Sequence, residues 1–226
     1  MRNLPMKQVG ATGEVLGGRQ RSPHMTSGRL VPYLRVANVF DGYIDFTDVK
    51  EMFFKPNEIE KFRLQAGDIL LNEGQSIELV GRCAMYSEGP KDCCYQNTLI
   101  RYRAGPDTNA EFALQLFRYC QATGVFSRIA VKTNSIAHLG VSRFAELELP
   151  FPPLAEQERI ADIFRTWDNG IENLEALRGA RSNRVTGLCQ KLLGWAECTR
   201  NIGSCDHSQR FQPASVVRTV AVTTRL

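Results

Sequence analysis

The sequence has no P-loop and no Gly-x-Gly-x-x-Gly run opening a helix, so nucleotide-driven and dinucleotide-dependent chemistry lack their phosphate cradle. Histidine is scarce: His24, His138 and His207 are the three present, and none has a Cys or Ser at a spacing that suits a nucleophile and its base. Long apolar runs are also missing, the longest being a few residues against the ~20 that a membrane-spanning helix needs. No signal peptide precedes the seven cysteines, an odd number without a repeating spacing, and the expectation is reduced thiols in a cytoplasmic protein. Cys189, Cys198, Cys205 and His207 do not have the spacing of a zinc knuckle. Asp48-Val49-Lys50 matches half of a common nuclease core but lacks a metal-binding acid on a preceding strand. Pro152-Pro153 lacks the preceding Asn or Asp and the following aromatic with which an amino-methyltransferase grips a flipped base. The reading is a chain without catalysis of its own and without a bound metal or cofactor.

What is present is a globular composition, 43% hydrophobic and 23% charged over 226 residues. That is enough chain to bury a sizeable core without disulfide or metal staples. Lysine is the scarce cation, with 7 Lys against 21 Arg. The planar guanidinium fork suits bidentate contact with phosphate or a guanine edge, although a solvated basic surface has the same composition. The charge is placed along the chain: residues 1 to 40 balance at +5, 41 to 80 at −5, 81 to 150 at +2, 151 to 193 at zero and 194 to 226 at +2.

Short β-type runs alternate with turns as far as Pro153. Leu30 to Val36 reads as a strand closed by the Asp41-Gly42 turn, with Tyr43 to Phe46 returning beside it. Lys61 to Leu64 leads through the Ala66-Gly67-Asp68 turn into Ile69-Leu70-Leu71. Cys83 to Tyr86 and Thr98 to Tyr102 are further strands, and their hairpin-like order predicts a mixed or mainly antiparallel sheet. Helical spacing begins at Asn109 to Gln121, with Phe112, Leu116 and Tyr119 on one face. A longer pattern follows Pro152-Pro153. From Ile160 the seam runs Phe164, Trp167, Ile171, Leu174, Arg178, Arg181, Val185, Leu188 and Leu192 in alternating steps of four and three, the 3.5-residue repeat of a coiled coil. Residues 154 to 193 would make a helix about 60 Å long. The fold class is therefore α+β: a mixed domain over residues 1 to 153, a coiled-coil-like helix over 154 to 193, and an unassigned, disordered tail over 194 to 226.

Leu149-Pro150-Phe151-Pro152-Pro153-Leu154-Ala155-Glu156-Gln157-Glu158-Arg159-Ile160 resembles the proline-pair, Leu, Glu-Gln-x-x-Ile signature that closes each target-recognition domain in the specificity subunits of type I restriction-modification systems. Thr166 to Leu174 and Gly187 to Leu193 are similar to the ends of that family's spacer helix. Gly17 to Pro23, Pro32 to Val39, Ala66 to Leu71 and residues 132 to 139 resemble its Gly-rich loop, first strand, Gly-Asp-Ile-Leu turn and final approach. The likeness covers about residues 7 to 193. It implies a non-catalytic reader of double-stranded DNA. Its partners would be methyltransferase subunits that carry S-adenosylmethionine and a restriction subunit that is motor and nuclease. Family members carry two recognition domains and two spacer helices, and this sequence shows one of each. Either a second copy or another specificity chain completes the reader of a bipartite site, or the chain is a truncated remnant or an assembly or anti-restriction protein that binds methyltransferase subunits without reading DNA.

For DNA contact the candidates are Arg19, Gln20 and Arg21 in the Gly-rich loop, Arg35 and Asn38 at the first strand, and Gln96 and Asn97 before Thr98. Arg pairs with guanine O6 and N7, and Asn or Gln with adenine N6 and N7. For partner contact they are Glu156 and Gln157 in the first helical turn, where a carboxylate also suits the helix dipole, and the seam residues Ile160, Phe164, Trp167, Ile171 and Leu174.

Overall fold

In the computed structural model, residues 4–21, 26–133 and 136–193 are described, and the expected tail over 194–226 lies outside them. The chain divides into two units between Asp168 and Asn169, and no helix among the described residues is long and apolar enough to cross a membrane.

The centre of the first unit is an antiparallel sheet in the order Gly13–Gly17, Leu99–Ala104, Ile69–Asn72, Cys83–Met85. Ile69–Asn72 is buried at every position, so it has no solvent face. Because side chains alternate along a strand, Ile69 and Leu71 join one apolar cluster while Leu70, between them, joins another. The first cluster lies under the helices. Phe117 meets Tyr102 edge-on at 5.0 Å and Phe144 at 5.1 Å, and Phe112 meets Phe151 at 6.0 Å. Such pairs contribute roughly 0.5 to 1.5 kcal/mol each beyond the area they bury.

On the other side, Arg29–Leu34 pairs antiparallel with Lys50–Phe54 and parallel with Cys94–Tyr95. Here the structure corrects the sequence reading. The returning strand is Lys50–Phe54; Val36–Asn38 is a 3-10 turn, and Ile44 makes only an isolated bridge to Val39. The Asp41-Gly42 turn is real, with φ +79° at Gly42, but it closes a loop. Lys61 and Phe62 belong to a helix, Pro56–Phe62, whose start carries Pro at its first position and Glu58 reaching back to the Lys55 N–H at 2.8 Å.

The helix Ala110–Ala122 starts where the pattern placed it, with Asn109 Oδ1 accepting from the Phe112 N–H at 2.9 Å. Its buried face is Phe112, Ala113, Phe117 and Cys120, whereas Tyr119, expected inward, is exposed. The spacing fixed a helix but left its rotation ambiguous by one residue. The buried thiols are inert: burial pushes Cys93 and Cys94 up to about 12 and Cys120 to about 11.

The long helix spans Leu154–Leu193, matching the extent of the sequence pattern, and it is unbroken at Gly170 and Gly179. Its start is tied into the first unit. Glu148–Pro150 pairs antiparallel with Met6–Gln8, and the Phe151 N–H donates to the Pro5 carbonyl at 2.9 Å. Gln157 is 1% exposed. Its Oε1 accepts from the Asn109 N–H at 2.9 Å, and its Nε2 donates to the carbonyls of Pro152 at 2.8 Å and Asp107 at 3.2 Å. This corrects the assignment of Gln157 to partner contact, because a fully buried amide with its bonds made inside the domain has nothing left to offer a partner.

Gln157→Ala should destabilise the first unit by about 2 to 3 kcal/mol, since it leaves buried backbone donors and acceptors without partners. Half-buried Glu156, in the same turn, should cost under about 0.5 kcal/mol on replacement by Ala. Urea unfolding of the two variants against the parent measures the contrast.

Candidate nucleic-acid interface

Three separate segments converge beside the first sheet. The Arg19 N–H donates to the Tyr95 carbonyl at 3.1 Å and the Asn97 N–H to the Arg19 carbonyl at 3.0 Å, which lays the Gly-rich loop alongside residues 95–97. The Gln96 N–H donates to the Leu34 carbonyl at 2.9 Å, and the Val36 N–H to Thr98 Oγ1 at 3.3 Å, which brings in the end of the first strand. Gly18 permits this approach: a Cβ there would stand 2.2 Å from the Gln96 carbonyl oxygen.

The convergence places Gln20, Arg21 and Asn97, all exposed, and Arg35 and Gln96, both half-buried, on segments that adjoin one another. Arg35 is held by an ion pair to Asp48, which also meets Lys50 Nζ at 2.7 Å. The Lys50 ammonium, aided by Arg35, holds the Asp48 carboxyl below the usual carboxylate range. A phosphate or a base edge reaching Arg35 would compete with Asp48 for the guanidinium.

Arg19 and Asn38 are not on this rim, and both assignments are corrected. The Arg19 side chain is 6% exposed, ion-paired to Glu58 at 2.9 Å, with its guanidinium 4.8 Å above the Phe54 ring. Asn38 is 2% exposed. Its Oδ1 accepts from the Arg35 N–H at 3.1 Å, and its Nδ2 donates to the carbonyls of Asp45 at 2.9 Å and Asp48 at 3.2 Å. It organises the loop that carries Asp48 instead of facing a ligand.

Two rim residues escaped the sequence reading. The Glu73 N–H donates to the Thr98 carbonyl at 2.9 Å, and Glu73 Oε2 lies 3.2 Å from His138 Nδ1, so this acid and histidine adjoin Asn97 and Thr98. A carboxylate there can accept from cytosine N4. Nothing in the local sequence links residues 73, 98 and 138; only the pairing of Gly74–Gln75 with Ala137–His138 does. Among the described residues no three His, Cys, Asp or Glu side chains stand together as a metal site.

Of the residues expected to meet partners, Ile160 packs half-buried against the core, while Phe164, Trp167, Ile171 and Leu174 are exposed.

The sequence profile of the type I restriction modification DNA specificity domain matches residues 29–178. A protein of Methanocaldococcus jannaschii whose assigned role is the specificity subunit of the type I restriction enzyme MjaX is 28% identical over 165 residues, 71% of this chain and 38% of its own length. The EcoKI type I restriction enzyme specificity subunit of Escherichia coli is 25% identical over 188 residues, 81% of this chain and 40% of its own. The chain thus spans about two-fifths of the length of these curated relatives. The crystal structure of the HsdS subunit from Thermoanaerobacter tengcongensis superposes with a TM-score of 0.54 at 16% identity, over 85% of this chain and 44% of that one, a likeness of fold.

The Arg19 and Glu58 pair makes a testable statement about stability. Partial burial alone would raise the Glu58 carboxyl, but Arg19, the Lys55 N–H and the nearby positive charge outweigh it and hold the pKa below its ordinary value. A depressed folded-state pKa contributes stability above the ordinary glutamate range that is lost as pH falls through the lowered value. Glu58→Gln should therefore cost about 1 to 3 kcal/mol near neutrality, and the gap to the parent should close in acid. Urea midpoints of both proteins across a pH series supply the check.

Proposed function

The chain belongs to the family of type I restriction-modification DNA specificity domains, and from that premise we propose that it is a non-catalytic, sequence-specific reader of double-stranded DNA. The observation that carries this reading is the convergence of Gln20, Arg21, Arg35, Gln96 and Asn97 on adjoining segments of a rigid scaffold. Amides and guanidinium groups are the side chains that discriminate adenine and guanine edges in the major groove. The remaining arginines set register on phosphate without reading sequence. The rim covers one part of a bipartite site, and a second specificity half covers the other. Adenine methylation and DNA cleavage then belong to partners: a methyltransferase subunit holding S-adenosylmethionine and a motor-nuclease subunit. The relatives named as type I restriction enzyme specificity subunits support that division of labour. The exposed seam of the long helix supports a role in assembly.

Co-expression with a type I methyltransferase subunit in a host without other adenine methylation, followed by mapping of methyladenine, tests the reading. A reproducible bipartite motif is the expected result. Co-purification without any methylated motif would replace it with the assembly or anti-restriction reading. Gln20→Ala, Arg21→Ala and Asn97→Ala should each weaken binding to the mapped site by roughly 5- to 150-fold where the residue reads a base, about 1 to 3 kcal/mol. Their unfolding midpoints should stay close to the parent's.

A further inference from the structure

Glu73 differs from the acids that brace the domain. Asp41, Asp48, Glu58, Asp68 and Asp92 each hold an arginine, whereas among the described residues no arginine or lysine lies within ion-pair distance of Glu73. Its partner is His138, with Nδ1 at 3.2 Å from Glu73 Oε2, and both side chains reach solvent. The backbone already docks the segments that carry them. The Glu73 N–H donates to the Thr98 carbonyl at 2.9 Å, the Leu139 N–H donates to the Glu73 carbonyl at 2.8 Å, and Gly74–Gln75 pairs with Ala137–His138. Arg143, which reaches this strand from the following helix, is bound to backbone instead: its Nε donates to the Leu139 carbonyl at 3.0 Å and its Nη2 to the His138 carbonyl at 2.9 Å.

Ile136 extends this pair into a row. Gly74 lies opposite His138, and a Cβ on it would stand 3.1 Å from His138 Nδ1 and Cε1 and 4.0 Å from Ile136 Cγ2, so the imidazole and the isoleucine flank the same bare stretch of backbone. Ile136 is exposed and belongs to none of the apolar clusters. The groups in sequence along the row are a carboxylate, an imidazole and an alkyl group. An ionised carboxylate only accepts, so His138 Nδ1–H donates to Glu73, and the imidazolium offers a second donor at Nε2, on the far edge of the ring. The row therefore presents an acceptor, a donor and an apolar group. In the major groove an A·T pair presents adenine N6–H, thymine O4 and the thymine methyl, which are a donor, an acceptor and an apolar group in that order. A C·G pair also begins with an amino donor and an acceptor, cytosine N4–H and guanine O6, but it continues with guanine N7, an acceptor that Ile136 would leave unanswered.

We propose that Glu73, His138 and Ile136 read one A·T pair from the major groove, with Glu73 accepting from adenine N6–H, His138 Nε2–H donating to thymine O4, and Ile136 packing on the thymine methyl. The inference rests on the reading of the chain as a DNA reader and adds to it one base pair of the target with the side chains that select it. The bond from the Glu73 N–H to the Thr98 carbonyl sets this row beside Asn97, so the A·T pair adjoins the base that Asn97 meets.

The test uses the complex of the full chain with a type I methyltransferase subunit and duplexes carrying the mapped site, altered one base at a time. At one A·T position the parent should lose roughly 10-fold in affinity when adenine is replaced by purine, which lacks the N6 amino group. At the same position it should lose roughly fourfold when thymine is replaced by deoxyuridine, which lacks the methyl. Glu73→Ala should abolish the first effect and keep the second, Ile136→Ala should do the reverse, and His138→Ala should weaken the preference at that position alone. Analogue effects that persist in the variants, or a dependence that falls on a C·G pair, would overturn the proposal. An equal loss of affinity for every duplex would also overturn it, by making the three side chains structural. A parent with no sequence preference would sink the reading of DNA itself, whereas a clear motif that all three variants leave intact would count against this inference alone.

Discussion

The amide of Gln157 is the constraint on which the recognition domain closes. One side chain joins the loop at Asp107, the cap of the Ala110–Ala122 helix at Asn109, and the turn at Pro152 from which the long helix departs. Three sequence-distant pieces are fixed by a group that must be planar and must both donate and accept. A glutamate in its place would lose the two donated bonds, and an alanine all three. The conspicuous Gln of the closing signature is thus explained by folding before any partner is invoked. Its neighbour Ala161, 1% exposed, then seats the next helical turn on the same core.

Around that closure Arg19 and Arg101 are turned inward and buried, and Arg103 is half-buried. Arg101 is 2% exposed, with its guanidinium 2.7 Å from Glu14 and a bond to the Lys61 carbonyl. Arg103 grips buried Asp68 with two bonds of 2.6 and 2.7 Å, and Asp68 Oδ2 in turn accepts from the Gln65 N–H at 2.8 Å. The Gly67-Asp68 turn of the family likeness is therefore an anchor for a cation on the neighbouring strand. Arg19 over Phe54 plays the same part at the rim. Cations paired in this way fix strand register more than they add stability, because desolvation offsets most of the Coulomb gain.

This inward use explains where the sequence was legible and where it was not. The strands at 69–72, 83–85 and 99–104, the cap at Asn109 and the 40-residue helix announce themselves through local pattern, and the structure has them there. Tyr43–Phe46 misled because a turn signal says that the chain reverses but not which later segment it meets; Lys50–Phe54, beyond one more loop, took the pairing. At the site, the loop containing Arg19, Gln20 and Arg21 was visible as a loop. Which of three consecutive polar side chains points inward depends on Glu58 and Phe54, which lie far off in the sequence. Composition failed for the same reason: an arginine count does not separate those that hold the sheet from those that face solvent.

The separation has a physical consequence for how such a domain can change its target. Arg19, Asn38, Arg101 and Asp68 each bond to the backbone or to an opposite charge inside the fold, so replacing any of them disturbs register and core together. Gln20, Arg21 and Asn97 sit in the same loops, but their side chains are exposed and the loop geometry is held by backbone bonds, Arg19 to Tyr95 and Asn97 to Arg19. Backbone bonds do not depend on side-chain identity. A rim built this way accepts new amides, cations or carboxylates at little folding cost, while the buried set keeps the proposed reading edge in one place. Half-buried Arg35 stands between the two regimes, shared between Asp48 and solvent. That position makes it the point where a change of ligand contact would be felt by the loop that Asn38 organises.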